Sequence, residues 1–185
     1  MAQIAPGDEF TLVITEAYRE QQQQMHENPD YGVASVGYAP MVNNLVNTLQ
    51  VAEMLDYGAG KGRLLSALKP DHDLAYRAYE PANPEWCDTP EPAEMVCCID
   101  VLEHVEPELL DEVLDDLQRV TKRCGFFSIH TGPAVKTLPD GRNAHLIQHD
   151  YRWWMPKLWD RFHVDQMSHT KGGFFTICRS QITQS

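Results

Sequence analysis

The sequence predicts a doubly wound α/β domain, with a mostly parallel sheet, a C-terminal antiparallel hairpin and a helical N-terminal arm. Three observations carry that prediction. From residue 52 onward, short apolar runs alternate with amphipathic stretches, the pattern of a parallel sheet covered on both faces. A glycine-rich loop, Gly58-Ala59-Gly60-Lys61-Gly62, follows the first of those runs and opens a helical stretch. Near the C-terminus, two strand-like runs flank Gly172-Gly173, the break that a hairpin needs.

In chain order, a polar stretch from about Asp8 to Asn28, containing the run Gln21 to Gln24, reads as a helix. Asn28-Pro29-Asp30 and Gly32 end it. A second helix is expected from about Pro40 to Leu49, where Met41, Leu45, Val46 and Leu49 recur at helical spacing. Residues 1–50 thus form the arm, and residues 51–185 the ligand-binding domain. Strands are expected at Glu53–Tyr57, Ala75–Tyr79, Met95–Ile99 and Phe126–His130, with helices at Arg63–Leu68 and Leu109–Val120 between them. Gly132 to His149 is a long polar loop, and a loop of that length inside a compact domain is usually functional or mobile. A helix at about Tyr151–Arg161 and strands at Val164–Met167 and Phe174–Cys178 complete the chain.

Composition excludes several classes of function. The 185 residues suit one domain, and 43% hydrophobic with 23% charged residues is ordinary globular usage. Fifteen Lys and Arg against 27 Asp and Glu give a net charge of −12, which argues against a DNA duplex as partner. No apolar run approaches the roughly 18 residues of a membrane span, and the opening MAQIAPGDEF lacks a signal region. The five cysteines form no CxxC pair, so free thiols in a reducing cytoplasm are expected.

The glycine loop points to a nucleoside-type ligand. Glycines let the backbone turn tightly and let a ligand approach the main chain. Asp56 stands two positions before Gly58, where a carboxylate can face an amino group. Glu80 ends the next strand, where an acid accepts the two hydroxyls of a ribose. The spacing is GxGxG and not the GxGxxG of dinucleotide enzymes, and Lys61 is not followed by Ser or Thr as in a P-loop.

These residues resemble the class I S-adenosylmethionine-dependent methyltransferases, whose fold is Rossmann-like. Leu55-Asp56-Tyr57-Gly58-Ala59-Gly60-Lys61-Gly62 matches the first motif of that family, and Glu80 in AYEP its ribose-binding acid. MVCCIDVLEHVEP is similar to the fourth-strand motif, CGFFSIHT to the fifth strand, and HLIQHDYRWWMPKLWDRF to the segment before the final hairpin. The resemblance implies S-adenosyl-L-methionine as cofactor, contacted by Asp56, Gly58, Gly60, Glu80 and Asp100. The family's third strand is nearly absent here, which leaves Trp86, Cys87 or Asp88 as the adenine contact.

Asp100, Glu103 and His104 follow the strand Met95–Ile99 at i, i+3 and i+4, and would share one face of a helix. With His145 of the long loop they resemble the metal sites of plant small-RNA 2′-O-methyltransferases and of ubiquinone-pathway O-methyltransferases. Glu103, His104 and His145 are accordingly candidate ligands for Mg²⁺ or Mn²⁺, and His104 and His145 candidate catalytic bases. Equally open is a metal-free pocket in which Leu102 and Val105 pack and the histidine faces substrate. Lys136 and Arg142 suggest an anionic acceptor, and Trp153 and Trp154 a core stripe with one indole free to wall the pocket. The reading that follows is O-methylation of a small or medium acceptor. A non-catalytic binding module of the same fold and an RNA 2′-O-methyltransferase are the alternatives.

Overall fold

The computed structural model describes residues 12–181, and the helix start expected near Asp8 lies outside them. Helix α1 runs Glu16–Glu27, with Thr15 as N-cap accepting from the Tyr18 N–H. Helix α2 spans Ala34–Leu49 and starts well before the expected Pro40. Proline costs an interior helix one main-chain bond, to the carbonyl four residues back. Here that carbonyl belongs to the exposed Val36, where water can replace the lost donor.

One six-stranded sheet organises the rest, in the order β2-β1-β3-β4-β6-β5. Its strands are β1 (Glu53–Tyr57), β2 (Ala75–Tyr79), β3 (Ala93–Ile99), β4 (Thr121–His130), β5 (Phe162–His169) and β6 (Gly173–Ser180). Strands β2, β1, β3 and β4 are parallel, while β4–β6 and β6–β5 pair antiparallel. The expected parallel sheet with a terminal hairpin is therefore present. No strand forms among residues 80–92, so β2 is left at the sheet edge. Helices α3 (Arg63–Ala67), α4 (Leu110–Val120) and α5 (Tyr151–Trp159) connect the strands.

Strand periodicity sorts the core into two layers. Leu55, Tyr57, Val96 and Cys98 face Leu114, Leu117, Trp154 and Leu158 of α4 and α5. Met54, Met95, Cys97 and Ile99 face Val42 and Val46 of α2 and Leu64 of α3. Neighbouring residues on a strand point to opposite faces, so Cys97 and Cys98 are buried in different layers. All five cysteines are free thiols, and only Cys87 is exposed. Helix α2 is thus part of the sheet's covering layer, whereas α1 lies against the loops at the carboxyl ends of the strands. Among the described residues no helix is long and apolar enough to cross a membrane.

Candidate functional site

The parallel strands β1, β2 and β3 deliver the key residues to one edge, since ligands of doubly wound sheets bind at the carboxyl ends of strands. A cavity of about 420 Å³ opens there. At one end it is lined by Asp56, Gly58, Gly60 and Glu80, and at the other by Asp100, His104 and His145. The candidates Asp56, Gly58, Gly60, Glu80, Asp100, His104 and His145 therefore border a single space, and Glu103 does not.

The glycine loop is shaped for close approach. Gly58 has φ +78°, and a Cβ there would overlap the Val101 side chain. Gly60 has φ +54° and donates its N–H to Glu80 Oε2 at 3.0 Å. The other Glu80 oxygen accepts the Ala82 N–H at 3.1 Å. Burial raises the pKa of this carboxyl, and the two N–H donors oppose the shift. Asp56, 3% exposed, accepts the Tyr76 hydroxyl at 2.5 Å. Burial lifts Asp56 to about 6 despite that hydrogen bond. A glycine cradle, a buried carboxylate with lone pairs to spare and a second acid at the loop's base fit a nucleoside carrying an amino-acid tail.

The second cluster is not helical as the spacing suggested. Asp100 takes a left-handed φ of +59°, and a 3₁₀ turn, Leu102–His104, follows. This turn sends Glu103 fully inward, where Oε1 accepts the His130 N–H at 2.5 Å and Oε2 is buried with no hydrogen-bond partner. Burial and the neighbouring Asp100 carboxylate hold Glu103 well above the usual carboxylate range. Ligand atoms of Asp100, Glu103 and His145 lie within 4.8 Å of one another. His104 is not in that group, so the expected trio of Glu103, His104 and His145 is replaced by one in which Asp100 stands for His104. The chain turns through the left-handed Asp100 and then Val101 before the 3₁₀ turn begins, and this bend places Asp100 beside Glu103 and leaves His104 outside the group.

His104 instead bridges the arm and the long loop. Its Nδ1 lies 2.7 Å from the Ala144 carbonyl and 3.5 Å from the Tyr31 hydroxyl, and its own carbonyl accepts the Tyr18 hydroxyl at 2.6 Å. Gln22 joins the two tyrosines, donating to Tyr18 and accepting from Tyr31. A carbonyl can only accept, so the Ala144 contact puts the ring proton on Nδ1 and leaves Nε2 bare. Burial lowers His104 to about 4, which keeps it neutral near pH 7. His145 meets the Gly132 carbonyl through Nδ1 at 2.7 Å, and in its neutral form also has a bare Nε2.

Several loop expectations change. The segment 132–149 is ordered around Asn143, whose side chain bonds Ala134 N–H and C=O and the His145 N–H. Lys136 lines the cavity, but Arg142 does not: Asp140 takes it at 2.7 and 2.8 Å. Trp154 is fully buried and Trp153 stacks on His149, so neither indole walls the cavity. Trp86, Cys87 and Asp88 do not line it either, and Trp86 packs beside Gly62. Sequence reasoning missed Tyr57, Tyr79 and His130 as lining residues. For His130 the signal was available, since it ends the predicted strand Phe126–His130 at the ligand-binding edge.

No protein-family model matches the chain, nor does any curated protein. Solved structures do. The chain is similar to 1,6-didemethyltoxoflavin-N1-methyltransferase of Burkholderia thailandensis, solved with 1,6-didemethyltoxoflavin and S-adenosylhomocysteine bound. The TM-score is 0.64 at 16% identity, over 96% of this chain and 93% of that one. N-methyltransferase NodS from Bradyrhizobium japonicum WM9, solved with S-adenosylhomocysteine, gives 0.58 at 11% identity, over 89% and 98%. An O-methyltransferase family protein from Burkholderia thailandensis gives 0.60 at 12% identity, over 89% of this chain and 58% of that one. At these identities the likeness is one of fold. The chain has the class I S-adenosylmethionine-dependent methyltransferase fold.

Proposed function

From that fold and that cavity we propose that the chain is an S-adenosylmethionine-dependent methyltransferase acting on oxygen of a small or medium acceptor. One observation carries the reading: a single cavity is bordered at one end by the glycine loop with Glu80, and at the other by Asp100, His104 and His145. When bound, S-adenosylmethionine supplies an electrophilic sulfonium methyl group. Gly58 and Gly60 admit it to the main chain, Glu80 accepts its ribose hydroxyls, and Asp56 faces its amino group. At the far end, a bare imidazole nitrogen of His104 or His145 takes the proton from the acceptor hydroxyl. Lys136 on the lining favours an acceptor with an anionic group. The free thiols fit a reducing cytoplasm.

Asp100, Glu103 and His145 further support a divalent-cation site. Two carboxylates and an imidazole suit Mg²⁺ or Mn²⁺, and the buried Glu103 Oε2 lacks any donor. Asp100, Glu103 and His145 would hold such a cation, which would supply Lewis acidity to an acceptor hydroxyl.

Calorimetric titration of S-adenosylhomocysteine, with and without Mn²⁺, tests the reading. Micromolar binding is expected. Mn²⁺ uptake that is lost in His145→Ala and kept in His104→Ala supports the cation site. Cofactor binding without Mn²⁺ uptake leaves a histidine base alone, and absence of cofactor binding overturns the reading in favour of a non-catalytic module.

A further inference from the structure

We infer that His26, on helix α1 of the arm, is a second ligand for the ribose hydroxyls that Glu80 accepts. The inference rests on the cofactor reading above and adds a residue to it. His26 Nε2 stands 3.9 Å from Glu80 Oε2, too far for a hydrogen bond. An oxygen placed about 2.8 Å from each of the two atoms fits that gap, at ordinary hydrogen-bond length.

The donor and acceptor count asks for such an oxygen. Each Glu80 oxygen already accepts one main-chain N–H, from Gly60 and from Ala82, and retains a lone pair for a hydroxyl. A hydroxyl donating to Glu80 still has lone pairs of its own and needs a donor. His26 Nδ1 is buried without a partner. An orphaned N–H is rarer in folded proteins than an unmet lone pair, so the ring proton belongs on Nε2, the nitrogen facing Glu80. His26 therefore offers a donor where Glu80 offers acceptors, and one vicinal hydroxyl can satisfy both.

Packing holds the ring in that place. A Cβ built on Gly60 would lie 3.2 Å from His26 Cε1, so the imidazole rests directly on the glycine loop. Tyr31 meets its edge, with ring centroids 5.3 Å apart. Lys61 of the glycine loop donates to the carbonyls of Asn28 and Tyr31, and Lys136 of the long loop to that of Asp30. The turn that ends α1 is thus tied to both ends of the cavity.

The test is calorimetric, with S-adenosylhomocysteine and its 2′-deoxy and 3′-deoxy analogues. Wild type is expected to lose about tenfold or more in affinity when the shared hydroxyl is removed. His26→Ala should bind S-adenosylhomocysteine about tenfold more weakly and lose less on that deoxygenation than wild type does, because Glu80 still accepts the hydroxyl. His26→Gln, which keeps an N–H donor, should recover most of the affinity. Should His26→Ala fail to fold, His26→Phe keeps the ring packing without a donor and carries the same expectation. Wild-type affinity in the variant, or the same penalty for the deoxy analogue, overturns the inference while leaving the cofactor reading intact. No binding of S-adenosylhomocysteine by wild type overturns both.

Discussion

The main-chain N–H of Gly60 donates to Glu80 Oε2 across 3.0 Å, so the glycine loop and the acid at the tip of β2 act as one unit. Glu80→Ala is expected to weaken S-adenosylhomocysteine binding by about 10–100-fold, the loss of one or two charge-assisted hydrogen bonds. Folding stability should change little, because burial already works against the ionised carboxyl. Calorimetry and a urea melt on the same sample separate the two effects. A variant that melts early and binds weakly would point to a structural role instead.

Gly58 makes a sharper demand on stability. Alanine there meets both a φ of +78° and the Val101 side chain. The expected cost is about 1–3 kcal/mol from overpacking, with a further contribution from the backbone. Adding Val101→Ala removes the overlap but not the torsional strain, so the double variant should recover part of the loss. Urea melts of the two proteins measure that share.

The sheet was legible because its cause is local. Leu55, Tyr57, Val96 and Cys98 alternate with Met54, Met95 and Cys97 in a pattern that both covered faces require. The glycine loop and Glu80 were equally plain, since glycine takes left-handed torsions at little cost and leaves the main chain open to a ligand. The Asp100–Glu103 contact was harder to read. Its i, i+3 spacing suits an α-helix, and nothing in the spacing shows that a left-handed Asp100 precedes a 3₁₀ turn beginning only at Leu102. Arg142 was misjudged because Asp140, two residues away, competes for it more closely than any ligand. His26 and Tyr31 stand in an arm for which the sequence left open a fold over the cofactor, a docking helix or a dimer contact, because their place over the cavity depends on how that arm docks.

Asp56 ties stability and binding to pH. Its folded value of about 6 lies above the ordinary 3.8, so the folded protein binds the proton more tightly than the unfolded chain does. This contribution to stability is therefore largest below pH 3.8 and is lost as pH rises through 6. Asp56→Asn, which cannot ionise, should be the more stable protein at pH 7.5 by up to about 3 kcal/mol, with no advantage below pH 4. Binding runs the other way. If Asp56 faces the cofactor's amino group, S-adenosylhomocysteine affinity should fall in wild type as pH drops through 6 and stay flat in the variant. Paired urea melts and titrations from pH 4.5 to 8 read both trends.

Glu103→Gln tests the inner end of the site. The amide oxygen can keep the His130 N–H, while the amide nitrogen takes the place of the buried, unpartnered Oε2 beside Asp100. A buried acceptor facing another carboxylate thereby becomes a donor to it. Where Glu103 is ionised, stability should rise by about 1–3 kcal/mol, the cost of an unsatisfied buried group. The sign follows from the raised pKa of Glu103: wild type becomes relatively more stable as acid supplies its proton, so the gain should shrink as pH falls. Mn²⁺ affinity should drop by about tenfold or more, because a neutral amide is a poorer ligand for a hard cation. Calorimetric Mn²⁺ titration of both proteins checks it. Equal uptake by the two would remove Glu103 from any cation site and leave Asp100 and Glu103 as a pair sharing one proton.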